Sequence, residues 1–72
     1  MVQDYRENRY RFAANGREYH NGDGVGGPAE ACSIAREAAR AAPGVEHTVH
    51  HRDGKLLAAY KLIGKHMSVR MP

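Results

Sequence analysis

Five histidines are the residues of this chain with the most conspicuous chemistry. A zinc site needs ligands that converge, such as paired cysteines or histidines at helical i, i+4 spacing. His50 and His51 are neighbours on a predicted strand and point to opposite faces, while His47 and His51 share a face about 13 Å apart. We therefore interpret the histidines, His20 and His66 included, as surface or interface side chains. A pH-responsive interface is the alternative, because imidazole titrates near neutrality.

Cys32 and Ser33 are the candidate nucleophiles. Both lie early in a predicted helix, where the helix dipole lowers a thiol pKa. A nucleophile also needs a positioned base, and the sequence shows no pattern of carboxylate, histidine and nucleophile. We interpret Cys32 as a small buried apolar side chain. We expect a protein that is not an enzyme and that needs no cofactor or metal.

A glycine-rich connector, Asn21–Gly27, precedes the predicted helix. Phosphate-binding loops occupy the same position before a helix. The connector lacks the glycine order of the dinucleotide fingerprint and the Lys-Ser/Thr pair of the P-loop. We predict a flexible linker, with an anion at the helix N-terminus as the alternative.

Basic and aromatic residues alternate near the N-terminus, a pattern that can neutralise phosphates and stack on bases. The chain has no helix-turn-helix, zinc-finger or RNA-binding signature, and eight acidic residues dilute its basic charge. Nucleic-acid binding is therefore the second hypothesis for function. Its candidate residues are Arg9, Arg11, Arg17 and Lys61.

Two glycine turns organise the elements that carry these residues. Asn15-Gly16 divides the strand-like run 10–19, and Asp53-Gly54 divides the run 45–63. A two-residue Asn-Gly or Asp-Gly loop between such runs is the strongest short-range hairpin signal, since a type I′ turn needs positive φ at both positions. The sequence therefore predicts two β-hairpins.

The turns also predict the register of each hairpin. Phe12 is expected opposite Tyr19, on a core face shared with Tyr10. In the second hairpin, His50 is expected opposite Leu57. That register leaves three apolar residues on the face turned away from the helix: Leu57, Ala59 and Ile63. Exposed apolar area of this kind marks a partner surface.

The helix is predicted over Pro28–Ala42, between the hairpins. Proline suits the first helical position, and Pro43-Gly44 ends the helix. Its apolar residues recur at the spacing of one buried face, with Cys32 and Ala39 flanking that face. The predicted stripe contains Ala31, Ile34, Ala35, Ala38 and Ala42.

A chain of 72 residues makes one domain, 1–72, with a small core. Residues 1–8 are polar and are expected to fray or to lead into the first strand. Residues 64–72 form a fifth strand, an arm exchanged with a second subunit, or a tail. The single cysteine excludes a disulfide within the chain, so oligomerisation is the expected source of extra stability.

The net charge of +3 and the pI near 9.4 permit attraction to an acidic partner. No run approaches the ~20 apolar residues of a membrane span, and the polar start lacks the apolar core of a signal peptide. A lone free cysteine is typical of a reducing compartment. We expect a cytoplasmic protein that does not act on membranes.

The order of these features resembles small uncharacterised bacterial ββαββ families. The features are an aromatic first strand, an Ala- and Arg-rich helix with Ala-Arg-Glu-Ala-Ala, and Arg-Asp-Gly-Lys-Leu in the closing hairpin. The resemblance covers Tyr10–Leu62 and implies the architecture alone. Gly22-Asp23 ahead of Ala29–Ala39 is also similar to small antitoxin-type domains.

The predicted fold is α+β: a ββαββ chain whose antiparallel sheet of about four strands carries one Ala-rich helix on one face. The leading functional hypothesis is a non-enzymatic interaction or regulatory module that forms a homodimer through its sheet and binds an unidentified protein partner. The alternatives are the nucleic-acid-binding module and an inhibitor encoded by a phage or plasmid. The candidate interface residues are Leu57, Ala59, Ile63, His50, Met67 and Val69.

Overall fold

A computed structural model describes residues 10–20 and 26–72. Five strands form one antiparallel sheet in the order β2-β1-β3-β4-β5, and one helix packs on it. The α+β prediction is confirmed, with one strand more than the predicted four. The elements are β1 (Tyr10–Ala14), β2 (Arg17–His20), α1 (Pro28–Ala41), β3 (His47–His51), β4 (Leu56–Ile63) and β5 (His66–Arg70). The fraying predicted for residues 1–8 and most of the glycine-rich connector lie outside the described residues.

The first turn has the conformation that its sequence predicts. Asn15 and Gly16 have φ values of 49° and 82°, the two positive angles of a type I′ turn. Ala13 lies opposite Glu18, as predicted, but Phe12 lies opposite His20 rather than Tyr19. The predicted Phe12 pairing is wrong because a bulge places one extra residue, Tyr19, in β2.

The second turn is longer than predicted. The Gly54 N–H donates to the His51 carbonyl at 2.9 Å, and the His51 N–H donates to the Lys55 carbonyl at 2.8 Å. These bonds close a three-residue loop, 52–54, in which Gly54 takes the left-handed conformation with φ 95°. The predicted two-residue loop is therefore wrong.

A bulge in β4 corrects the register that the longer loop displaces. Leu56, not Leu57, lies opposite His50, and Leu57 is the extra residue before Ala58. From Ala58 onward the predicted register is confirmed, since Val49 lies opposite Ala58. The longer loop and the bulge in β4 shift the register in opposite directions. The sequence prediction is therefore wrong only for the residues next to the turn.

Residues 66–70 form a fifth strand, β5, which makes a third hairpin with β4. Ile63 lies opposite His66 across a two-residue loop, Gly64-Lys65. Gly64 has φ 61°, as the first central position of a type II′ turn requires. β5 therefore adds to the outer side of β4.

The helix packs on β3 and β4 through a line of alanines. Ala31, Ala35 and Ala39 are fully buried and recur at i, i+4 and i+8, which places them on one face. Ala39 therefore belongs to the buried stripe rather than lying beside it, and Ala42 is the half-buried C-cap that follows the last helical residue, Ala41. The largest fully buried side chains beneath the helix are Phe12 and Val49.

Candidate interaction surface

The helix covers the middle of the sheet and leaves apolar side chains of β5 accessible. Met67 packs against the core, whereas Val69 is 49% exposed and Met71 is 62% exposed. Met67 lies opposite Leu62, and Val69 lies opposite Tyr60, a core residue. Side chains at alternate positions share a face. We call Met67 and Val69, on the helix side of the sheet, together with Met71, the residue that follows β5, the edge patch.

The backbone of β5 points hydrogen-bonding groups away from β4. Ile63 and His66 flank a two-residue loop, so they form a hydrogen-bonded pair, and every second pair along the ladder is hydrogen-bonded. Leu62 agrees with this alternation, because its carbonyl accepts the Gly44 N–H at 2.8 Å on the other side of β4. It follows that Met67 and Val69 direct their N–H and C=O groups outward.

The two outer strands of the sheet differ in how they present their edges. β2 has four residues, is bulged, and exposes the charged side chains of Arg17 and Glu18. Such features discourage pairing with another strand. β5 keeps five consecutive pairs with β4 without a bulge. The β5 edge is therefore the better template for an added strand.

Arg70, a charged residue of β5, forms an ion pair within its own chain. Arg70 lies on the face of β5 away from the helix, and its guanidinium is 3.3 Å from the Glu46 carboxylate. Both side chains are well exposed, so the pair adds little stability. It does reduce the net charge that a second strand would meet at this edge.

The apolar face predicted from Leu57, Ala59 and Ile63 is not continuous. Leu57 packs against the helix-side core, because it is the bulge residue of β4. Ala59 is 1% exposed, while Ile63 is 57% exposed at the far end of the strand. His50, also predicted at the interface, is half-buried next to Leu56. Met67 and Val69 lie on the other face of the sheet.

The residues proposed for nucleic-acid binding are divided between the two faces. Arg11 and Lys61 lie on the helix-free face, since Arg11 pairs with His50 and Lys61 pairs with Ser68. Arg17 pairs with Ala14 and therefore lies on the opposite face. Arg9 is outside the described residues. The described members of this set thus form no single basic surface.

Histidines of β3 alternate between faces as predicted, but His47 is buried rather than at the surface. His47 and His51 share the helix side of the sheet, opposite Ala14 and Tyr10. The His47 Nδ1 lies 3.0 Å from the Val45 carbonyl oxygen, and its ring meets Tyr19 edge-on at 6.0 Å between centroids. Among the described residues, no three His, Cys, Asp or Glu side chains cluster as metal ligands would.

Two tyrosines have altered acidity. Burial raises the pKa of the Tyr19 hydroxyl above its ordinary value of 10.0. Burial also raises the pKa of Tyr60, and the side-chain hydrogen bond and charge interaction with Cys32 raise it further, while Arg36 opposes the shift. Cys32 is half-buried and packs against the core, so it is less buried than the sequence predicts.

An open cleft of about 330 Å³ lies beside the second turn. It is lined by Tyr10, His51, Arg52 and Asp53, and the rings of Tyr10 and His51 are 5.9 Å apart. The sequence prediction did not include this cleft, because it depends on β1 pairing with β3. His51, Arg52 and Asp53 are all exposed, so these side chains stay hydrated at its wall.

Comparison with known proteins gives no match from which a function could be inferred. No family model matches the chain, and no curated protein or solved structure is significantly similar to it. The resemblance to bacterial ββαββ families therefore stays a prediction. Within the described ranges, no helix is long and apolar enough to cross a membrane.

Proposed function

We propose that this protein is a non-enzymatic interaction module that forms a homodimer by pairing the β5 edges of two copies. The observation that supports this most strongly is the edge patch on a strand without a bulge. An added strand would hydrogen-bond the outward groups of Met67 and Val69, and it would cover the exposed side chains of Val69 and Met71.

The size of the core supports the same proposal. Among the described residues, only Phe12 and Val49 are large side chains with full burial, and the helix contributes alanines, which bury little apolar area each. Domains of this length bury only about 60% of their unfolded surface. Dimerisation stabilises the folded chain by mass action, because the unfolded chain presents no ordered edge.

Strand pairing over one short edge makes a small interface. Stable dimers bury about 800 Å² on each partner, and a five-residue strand with two apolar side chains, followed by Met71, covers less. We therefore expect a dimer that dissociates on dilution. This property suits a regulatory module, whose β5 edge is then shared between a second copy and another protein.

Sedimentation velocity across a range of protein concentrations tests the proposal. The wild-type chain should shift from monomer to dimer as concentration rises. Val69→Lys should remain monomeric, because a lysine on an edge strand opposes pairing. Ile63→Lys is the matched control: its side chain is similarly exposed on the other face of the same hairpin, and this variant should still dimerise.

Two results would contradict the proposal. A wild-type chain that stays monomeric at high micromolar concentration would exclude the homodimer. A dimer lost in Ile63→Lys but retained in Val69→Lys would place the interface on the helix-free face. Circular dichroism of both variants separates loss of pairing from loss of folding.

A further inference from the structure

We infer that the two β5 strands pair antiparallel about a two-fold axis at Val69, which joins the two sheets into one of ten strands. This inference rests on the proposed dimer and specifies its register. The constraints are the outward backbone groups, the apolar side chains and the charges of β5.

The outward groups limit the registers available. In an antiparallel ladder, hydrogen-bonded pairs form between residues that both direct N–H and C=O towards the other strand. Met67 and Val69 do so, and Met71, the residue after β5, would do so once an added strand extends the ladder by one residue. An axis at Val69 pairs Val69 with its own copy and Met67 with Met71 of the second copy. Every member of the edge patch then meets another member.

Neighbouring registers are less favourable. An axis at Ser68 sets Arg70 opposite His66 of the second copy and leaves Met71, 62% exposed, beyond the paired strand. An axis at Arg70 sets two guanidinium groups opposite each other, and like charges in directly opposite positions destabilise a sheet.

The axis at Val69 also satisfies the charges. It places Arg70 opposite Ser68 of the second copy, a small polar side chain that tolerates a cation. Arg70 keeps its ion pair with Glu46 of its own chain. The apolar contacts then lie on the helix side of the joined sheet, and the polar contacts lie on the helix-free side.

Disulfide trapping tests the register in a Cys32→Ala background, with each variant carrying one introduced cysteine. Val69→Cys should form a disulfide-linked dimer, because a hydrogen-bonded pair has Cα atoms about 5.5 Å apart, within the range of a disulfide. Ser68→Cys should stay unlinked, because its two copies lie diagonally, about 7–8 Å apart. A mixture of Met67→Cys and Met71→Cys should link between the two variants.

The outcomes separate this inference from the proposal beneath it. A wild-type dimer in sedimentation together with linkage of Ser68→Cys, and none of Val69→Cys, would overturn the register and leave the β5 dimer standing. A wild-type monomer at high concentration would overturn both. Sedimentation of each variant under reducing conditions shows whether the substitution itself prevents pairing.

Discussion

Val69 lies directly opposite Tyr60 in the ladder between β4 and β5, yet Val69 is 49% exposed and Tyr60 is 5% exposed. Cross-strand partners share a face, so both side chains lie on the helix side of the sheet. The helix packs on β3 and β4. It therefore covers Tyr60 in β4 but does not extend over Val69 in β5. The edge patch is exposed because it lies beyond the part of the sheet that the helix covers.

The same boundary predicts unequal costs for one substitution at two valines. Val49→Ala removes two methyl groups from a fully buried site, and it should lower the free energy of unfolding by about 2 kcal/mol. Val69→Ala should change it by less than about 0.5 kcal/mol. Urea unfolding at a concentration where the chain is monomeric measures both. Equal losses in the free energy of unfolding would contradict the conclusion that Val49 is buried and Val69 is not.

Asn15 connects the first turn to the start of β3. Its Oδ1 accepts the Glu46 N–H at 3.0 Å, and its own N–H donates to the Glu46 carbonyl at 2.7 Å. Asn15→Gly keeps the positive φ of 49° but loses the side-chain acceptor, at a cost of about 1 kcal/mol. Asn15→Ala should cost about 1 kcal/mol more, because alanine is strained at this φ.

Denaturant titration of the two Asn15 variants checks this order. Alanine as stable as glycine would show that the backbone angle carries no penalty at this position. Glycine as stable as the wild type would show that the bond to Glu46 adds nothing.

Alkaline pH should destabilise the fold through Tyr60. Burial, and then Cys32, raise the pKa of Tyr60 in the folded chain above 10.0, so folding favours the neutral phenol. Its contribution to stability is complete below pH 10 and is lost as pH rises through the higher folded pKa. Thermal unfolding between pH 8 and pH 12 should show this loss, and Tyr60→Phe should reduce it.

Substitution of Cys32 separates the two causes of the raised Tyr60 pKa, burial and the interaction with the thiol. Cys32→Ala should lower the Tyr60 pKa, as followed by tyrosinate absorbance, but leave it above 10.0, because burial is the larger cause. An unchanged pKa in this variant would exclude the contribution of the thiol.

Much of the fold could be predicted because its signals are local. Asn15 and Gly16 form the predicted type I′ turn, since glycine has no Cβ and asparagine tolerates positive φ. Pro28 begins the helix, and the pairing of Val49 with Ala58 follows from the approximate position of the second turn. The fifth strand was one of three alternatives predicted for residues 64–72.

The candidate interface was predicted less well, because it depends on contacts between distant segments. The bulge in β4 directs Leu57 to the helix-side core instead of the helix-free face, and no residue type at this position announces a bulge. Met71 was left out of the predicted interface because its exposure depends on where the helix stops covering the sheet. By itself the sequence determined the first turn, the approximate position of the second, the helix and most of the strand register, since these follow from backbone preferences and side-chain periodicity. Only the tertiary structure decided where the helix lies across the strands, and hence which apolar residues stay exposed, because that depends on packing between residues far apart in the chain.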